Sequence, residues 1–375
     1  MPEQPKTGKS TEYTLAISTG WIDNGRRGLF RRDARKGYCM EFYDVVIVGA
    51  GPGGLKCAEV LGGRDLSVLI LEKKDTVGGK TCAGGLTVLD KNFPLPLHKI
   101  LTFRECRAVL NGKTYIVCPE HPIHTIDRID LGQYQLDLLR RYENITVRTA
   151  TAVRDITARH ILADEEKKIS FRYLVGADGS TSIVRRYLGL ESSLYVGMHY
   201  VLPEVHERMV WFFQPRLLGS GYGWIFPHRT FTSAGVYFNP TLITAKKARE
   251  ALDRLLDDYG IDYRKAGFSA APVNCLYRGI RFGNIFLAGD AAGLVSASTG
   301  EGISYAMVSG ADVARHLLDH TYDFDNIRKI LSVKRRQELV LSLFDRLPYL
   351  QTTLFRIFFR LIKIPGLRKY YSGAL

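Results

Sequence analysis

Residues 43 to 72 hold the feature that most restricts how this chain can fold. YDVVIVG (43–49) is short, β-branched and apolar, the composition of a strand buried on both faces of a parallel sheet. GAGPGG follows at once. Gly49, Gly51 and Gly54 have the G-x-G-x-x-G spacing, with Gly53 beside them, and LKCAEVLGG continues with helical periodicity. A second apolar strand, SVLILE (67–72), ends in an acid, Glu72. Strand, glycine turn, helix, strand and terminal acid form the βαβ unit that binds a dinucleotide. Its glycines allow a tight turn and let the backbone approach a pyrophosphate. The helix N-terminus offers free N–H groups and a partial positive charge. Glu72 can accept hydrogen bonds from a ribose. This unit alone leaves NAD and FAD both open.

Two later segments separate them. FRYLVGADGSTSIVRRYLG (171–189) runs from an apolar strand through Ala177-Asp178-Gly179 into a helical pattern, and NIFLAGDAAG (284–293) is a strand entering Gly289-Asp290. Both resemble motifs of FAD-dependent oxidoreductases with the p-hydroxybenzoate hydroxylase fold. The resemblance implies that Asp290 binds the ribityl hydroxyls and that Asp178 lies where flavin and nicotinamide meet. The small residues Ala291, Ala292 and Gly293 would let the backbone lie close to a flat ring. Gly300-Glu301-Gly302 then opens a helix, ISYAMVSGADVARHLL, whose N-terminus would stabilise negative charge on a reduced flavin. Glu301 is expected to support that helix's first turn.

The chain also resembles the geranylgeranyl reductase family over roughly residues 43 to 320. GDAAG…TGEGISYAMVSG carries the likeness, with Ser298 about where a Pro is common. SGYGWIFP (220–227) carries the Y-x-W-x-F-P element through Tyr222, Trp224, Phe226 and Pro227. GGKTCAGGL (78–86) resembles a Lys-x-Cys-Gly-Gly segment, loosened by Ala83. IDRIDLGQYQLDLL (126–139) supplies the family's Arg as Arg128, but has Leu131-Gly132 where an aromatic and Asp are usual. The resemblance implies a Rossmann-like (GR2-type) FAD-binding α/β fold: a parallel sheet with helices, an antiparallel-sheet substrate region and a C-terminal helical tail. The FAD-binding parts are expected at 40–95, 126–190 and 276–325, the substrate region at 96–125 and 191–275, and the tail at 326–375. Cofactor contacts fall to Gly49, Gly51, Gly53, Gly54, Glu72, Arg128, Asp178, Gly289, Asp290, Gly300 and Gly302. Catalytic contacts fall to Cys82, Tyr222 and Trp224. The implied reaction is reduction of C=C bonds in an isoprenoid chain by FADH2, with NADPH or ferredoxin as electron donor. The substrate would be a lipid, a quinone or a (bacterio)chlorophyll-like molecule. Two rivals share the scaffold: a flavin-dependent monooxygenase or halogenase, and a prenyl-binding escort protein that uses no FAD. The halogenase element W-x-W-x-I-P is absent, and the intact glycines speak against the escort.

Charge decides what else the chain contacts. The total is +14, but residues 1–39 carry +4 and residues 326–375 carry +9, leaving the body nearly neutral. A body so balanced argues against a broad nucleic-acid face. Cys39, Cys57, Cys82, Cys106, Cys118 and Cys275 are scattered, with neither C-x-x-C nor metal-ligand spacing, which predicts a reducing, cytoplasmic setting and no metal. No apolar run is long enough to span a membrane. Residues 1–39 are Gly- and Arg-rich without sustained periodicity, and Met40 precedes the first strand. They read as an over-called start or a disordered extension, with a transit peptide as the alternative. In YLQTTLFRIFFRLIKIPG (349–366), Arg356, Arg360 and Lys363 form a basic stripe opposite Phe355, Phe358, Leu361 and Ile362, and Pro365-Gly366 ends the pattern. Two readings fit this amphipathic helix: an anchor on an anionic membrane surface, and a terminal helix docked on the body.

Overall fold

Five parallel strands carry the glycine turn. The computed structural model describes residues 29–32, 39–86, 95–164 and 167–361. Strands β2 (Cys39–Val48), β3 (Val68–Leu71), β9 (Ile145–Arg148), β12 (Lys167–Gly176) and β19 (Ile285–Leu287) lie side by side in the order β19-β12-β2-β3-β9, every neighbouring pair parallel. Renumbered among themselves this is 3-2-1-4-5, the doubly wound order of dinucleotide-binding sheets. Val45, Val46, Ile47, Leu69 and Ile70 are fully buried, as strands covered on both faces require. Helices α1 (Pro52–Leu61) and α6 (Ile303–Leu318) pack closely together. Antiparallel strands β10 (Val153–Ile156), β11 (His160–Ala163) and β18 (Arg281–Phe282) extend the sheet.

One further strand corrects the expectation for the N-terminus. Leu29–Arg32 forms β1, antiparallel to Cys39–Phe42. The cause is visible in β2, which is ten residues long while β3 pairs only with Val45–Val48. The first half of that edge is open, and a strand covers it. The rest of the segment, residues 1–28 and 33–38, lies outside the described residues.

A second sheet of seven strands has the order β17-β13-β16-β15-β14-β6-β7. Its members are β6 (Cys106–Leu110), β7 (Lys113–Val117), β13 (Leu194–Leu202), β14 (Val210–Phe213), β15 (Tyr222–Pro227), β16 (Thr232–Phe238) and β17 (Gly267–Asn274). All pairs are antiparallel except β14 with β6. One face packs on α5 (Ala245–Asp258) through Leu252, Leu255 and Leu256. The other face is aromatic and looks into a cavity. A small sheet of β4 (Gly85–Leu86), β8 (Ile123–Thr125) and β5 (Leu101–Phe103) joins the two larger ones.

After α6 the chain forms α7 (Asp325–Arg346) and α8 (Gln351–Leu361). Phe355 and Phe359 are buried with Phe344 against Ala108 and Leu110, and Phe213 and Tyr115 complete the cluster. Of the two readings of this helix, the geometry is the docked one. Phe355 is core, so its side chain is not free to enter a bilayer, whereas Arg356 and Arg360 are exposed. Ile362, Lys363, Pro365 and Gly366 lie outside the described residues. Among the described residues no helix is long and apolar enough to cross a membrane.

Candidate functional site

The glycine turn is shaped by steric necessity on one side and openness on the other. Gly49 has φ +101°, and a Cβ there would sit 2.5 Å from the Ala177 carbonyl oxygen. A Cβ on Gly54 would fall 2.1 Å from the Gly49 oxygen, and one on Gly53 would fall 2.9 Å from the Ala306 oxygen of α6. Gly51 differs: its nearest neighbour would be 3.8 Å away, so its backbone faces the cavity uncovered. Pro52 occupies the first turn of α1, where a missing N–H costs nothing. Glu72, at the end of β3, accepts from the Ala50 N–H at 2.8 Å and the Lys74 N–H at 3.0 Å, fixing the turn to the acid.

Arg128 begins α2 (Arg128–Leu139), which Asp127 caps by accepting from the Ile129 N–H at 2.7 Å. The Arg128 side chain lines the same cavity and is 8% exposed, yet its Nη1 is buried with no hydrogen-bond partner. A buried guanidinium nitrogen left unpaired is costly unless an anion completes it. Open glycine backbone, a helix N-terminus and an unpaired guanidinium in one cavity fit the diphosphate of FAD.

Asp290 sits on the short turn Gly289–Ala292 that follows β19. Its Oδ2 accepts from Lys80 Nζ at 2.5 Å and from Ser180 Oγ at 2.9 Å. Gly302, at the N-terminus of α6, would place a Cβ 3.6 Å from Asp290 Oδ1. Gly289 has φ +57° and donates its N–H to Ser309 Oγ at 2.9 Å, and Gly300 has φ +68°. Two buried cations hold this turn and the chain beside it. Arg185 donates to the Ala291 oxygen at 2.9 Å and the Leu276 oxygen at 2.8 Å. Lys334 donates to the Cys275 and Val295 oxygens, each at 2.7 Å. Asp178 lines the cavity, but its carboxylate is engaged by Ser182 Oγ at 2.5 Å and the Ile183 N–H at 2.6 Å. Burial pushes its pKa up against the pull of those hydrogen bonds. Its carboxylate shapes the start of α3 (Ile183–Tyr187) rather than reaching for a ligand.

Cys82, Tyr222 and Trp224 all line the cavity. The Tyr222 hydroxyl donates to the Thr299 oxygen at 2.5 Å, and burial raises its pKa, with Cys82 and Glu301 adding to the effect. The Gly84 N–H points at Cys82 Sγ, 3.4 Å away. The Trp224 indole lies across β16, and only a glycine permits this: a Cβ on Gly235 would be 2.4 Å from Trp224 Cζ2. The cavity is about 1410 Å³. That exceeds the roughly 300–1,000 Å³ of an ordinary small-molecule site. It runs from the glycine turn, along the aromatic wall, to Leu339, Phe344, Phe355 and Phe359 on α7 and α8. Sequence reasoning missed Lys80, Arg185, Lys334 and His199. Each meets its partner across a long stretch of chain; Lys80 is the lysine of the Lys-x-Cys-Gly-Gly-like segment, and no local pattern marks the other three.

The FAD binding domain family matches residues 147–322, and the Thi4 family matches residues 29–117. A geranylgeranyl diphosphate reductase from Rhodobacter capsulatus is 26% identical over 291 residues, covering 72% of this chain and 73% of that protein. A geranylgeranyl bacteriochlorophyll reductase-like structure from Thermoplasma acidophilum superposes with a TM-score of 0.73 at 20% identity, covering 87% of this chain and 92% of that one. A probable FAD-dependent monooxygenase from Pseudomonas aeruginosa has a TM-score of 0.63 at 17% identity, covering 84% and 100%.

Proposed function

Because the chain is an FAD-dependent oxidoreductase similar to geranylgeranyl reductases, we propose that it reduces C=C bonds in the isoprenoid chain of a lipid, quinone or (bacterio)chlorophyll-like molecule. The observation that carries this reading is the shape of the cavity. Its apolar arm, between the seven-stranded sheet and α7–α8, is continuous with the glycine turn. A flexible apolar chain fits such an arm, because burying each CH₂ contributes about 0.8 kcal/mol. When bound, reduced FAD supplies the hydride equivalent that saturation of a double bond needs.

The chain's own residues divide the remaining work. Gly51, Arg128 and the N-terminus of α1 would hold the diphosphate, and Asp290 the ribityl hydroxyls. Lys80 now satisfies the Asp290 carboxylate, so ribityl binding requires the two to share or exchange that partner. Trp224, Phe226 and Trp211 form the wall along which the isoprenoid lies, excluding water from it. Cys82 and Tyr222 stand beside that wall, Cys82 with a thiol and Tyr222 as a neutral phenol whose hydrogen goes to the Thr299 oxygen. The electron donor is NADPH or ferredoxin. Peripheral membrane contact would come from α7 and α8, where Leu339, Leu343 and Tyr349 are exposed.

The monooxygenase reading is kept because such enzymes share this fold. Anaerobic turnover of a panel of prenylated lipids, read by mass spectrometry, separates the two. Reduction adds two hydrogens and needs no oxygen. A gain of one oxygen atom under air, with no anaerobic product, would overturn the reductase reading.

A further inference from the structure

The cavity wall formed by the seven-stranded sheet is mostly aromatic, and His199 interrupts it. Strand register puts His199 of β13 beside Gly235 of β16, and Gly235 beside Trp224 of β15. Ser233, two residues before Gly235, faces the same way. Its hydroxyl lies between the two rings: Trp224 Nε1 is 2.9 Å from Ser233 Oγ, and His199 Nδ1 is 2.7 Å from it. An indole nitrogen can only donate, so Ser233 Oγ accepts from Trp224. Ser233 is fully buried, and its own hydrogen has His199 Nδ1 as the acceptor within reach. Nδ1 is therefore the acceptor, and the neutral ring carries its hydrogen on Nε2.

That hydrogen has no taker among the described residues. His199 Nε2 makes no hydrogen bond among the described residues, and the ring lines the cavity while being 5% exposed. Burial lowers its pKa to about 4, with His228 adding repulsion, so the ring is uncharged at neutral pH. The Nε2–H opens on the cavity, so its acceptor there is either water or an oxygen of a bound ligand that displaces that water. The donor's neutrality selects the acceptor. An anionic oxygen would give up its hydration for one uncharged N–H, whereas a carbonyl or ether oxygen gives up far less.

We propose that His199 binds substrate directly: its Nε2–H donates a hydrogen bond to a neutral oxygen, a carbonyl or an ether, carried by the isoprenoid substrate where it lies along the sheet wall. This rests on the reductase reading of the cavity and narrows its substrate class. Ser233 is the positioning residue, since it fixes the tautomer that aims the hydrogen inward.

The test uses the oxidised, flavin-loaded protein and two probes with the same prenyl chain: a prenylated 1,4-naphthoquinone and the matching prenylated naphthalene. Equilibrium dialysis measures both. The parent should prefer the quinone by about tenfold, the scale of one hydrogen bond to a buried group. His199→Phe should bind both probes alike, with flavin content unchanged. His199→Gln, which keeps an N–H donor, should recover part of the preference, and Ser233→Ala should weaken it. A quinone preference that survives in His199→Phe, or a parent that shows none, overturns the proposal. Chain reduction is scored separately as a gain of two hydrogens. A His199-dependent preference without reduction would remove the reductase reading alone; reduction without that preference would remove this proposal alone.

Discussion

At the level of single residues, a guanidinium nitrogen with no partner fits the diphosphate site proposed for FAD. Arg128 is nearly buried, its Nη1 has no hydrogen-bond partner, and its side chain lines the cavity that the glycine turn also lines. A charge-assisted hydrogen bond there is worth about 1.5–3 kcal/mol. Arg128→Met should then weaken FAD binding by roughly 10- to 100-fold, read as flavin lost on dialysis. Retention equal to the parent would remove the assignment. His199 makes a second prediction, on pH. Its folded pKa is about 4, against about 6.5 in an unfolded chain. Folding thus favours the neutral ring. The resulting stability is fully present above pH 6.5 and is lost as the pH falls towards 4, up to about 3 kcal/mol. Burial lowers His124 and His228 in the same direction. In His199→Phe the melting temperature should therefore fall less steeply between pH 6.5 and 4 than in the parent, while keeping some slope. Identical slopes would show that His199 does not gain a proton on unfolding.

Among the elements, the contact between α1 and α6 positions the glycine turn. Gly53 and Gly310 let the two backbones touch: a Cβ on Gly310 would lie 2.0 Å from the Gly53 oxygen. In an open helix, Gly→Ala stabilises by about 1 kcal/mol. Here the clash is with backbone, which cannot rotate away, so the sign reverses. Gly310→Ala should lower the melting temperature by several degrees and reduce flavin content together, because α1 follows the turn proposed to hold the diphosphate. Calorimetry with flavin absorbance checks both, and a more stable, fully yellow variant would refute the argument. This contact also shows what the sequence could reveal. The G-x-G-x-x-G turn, its flanking strands and the helix after Gly302 were legible because each is a local pattern with one physical meaning. The partner of Gly53 was not, since a glycine inside ISYAMVSG reads as an ordinary weak helix position. The Lys80–Asp290 pair and the Trp224–Ser233–His199 chain were hidden for a related reason. Their members sit on different strands or loops, and only tertiary register brings them together. Strand β1 was missed because LFRR is too short to carry a period, and its cause is the open edge of β2.

For the whole molecule, the separation of charge and the course of the cavity point to one surface. The body is nearly neutral while the chain from residue 326 onward is strongly basic. The cavity's apolar arm ends at α7 and α8, within that basic part. Phe355 and Phe359 are committed to the core there, so any lipid contact must use other side chains. Leu339 and Leu343 on α7 and Leu347 just after it recur every four residues and are 68%, 47% and 37% exposed, and Tyr349 is 98% exposed. Arg356 and Arg360 are exposed on α8. An amphiphilic substrate would reach the cavity most directly if this corner rested on an anionic surface. Each basic residue near such a surface contributes about 1 kcal/mol, reduced by salt, and the leucines add apolar burial. The protein should co-sediment with phosphatidylserine vesicles, less so in high salt. Leu339→Ser combined with Leu343→Ser should weaken that binding without affecting flavin content, since neither side chain is core. Arg356→Glu with Arg360→Glu should weaken it further and reduce the salt dependence. Co-sedimentation unchanged by both pairs of substitutions, or absent in the parent, would mean that the exposed leucines and arginines face water and that substrate arrives by another route.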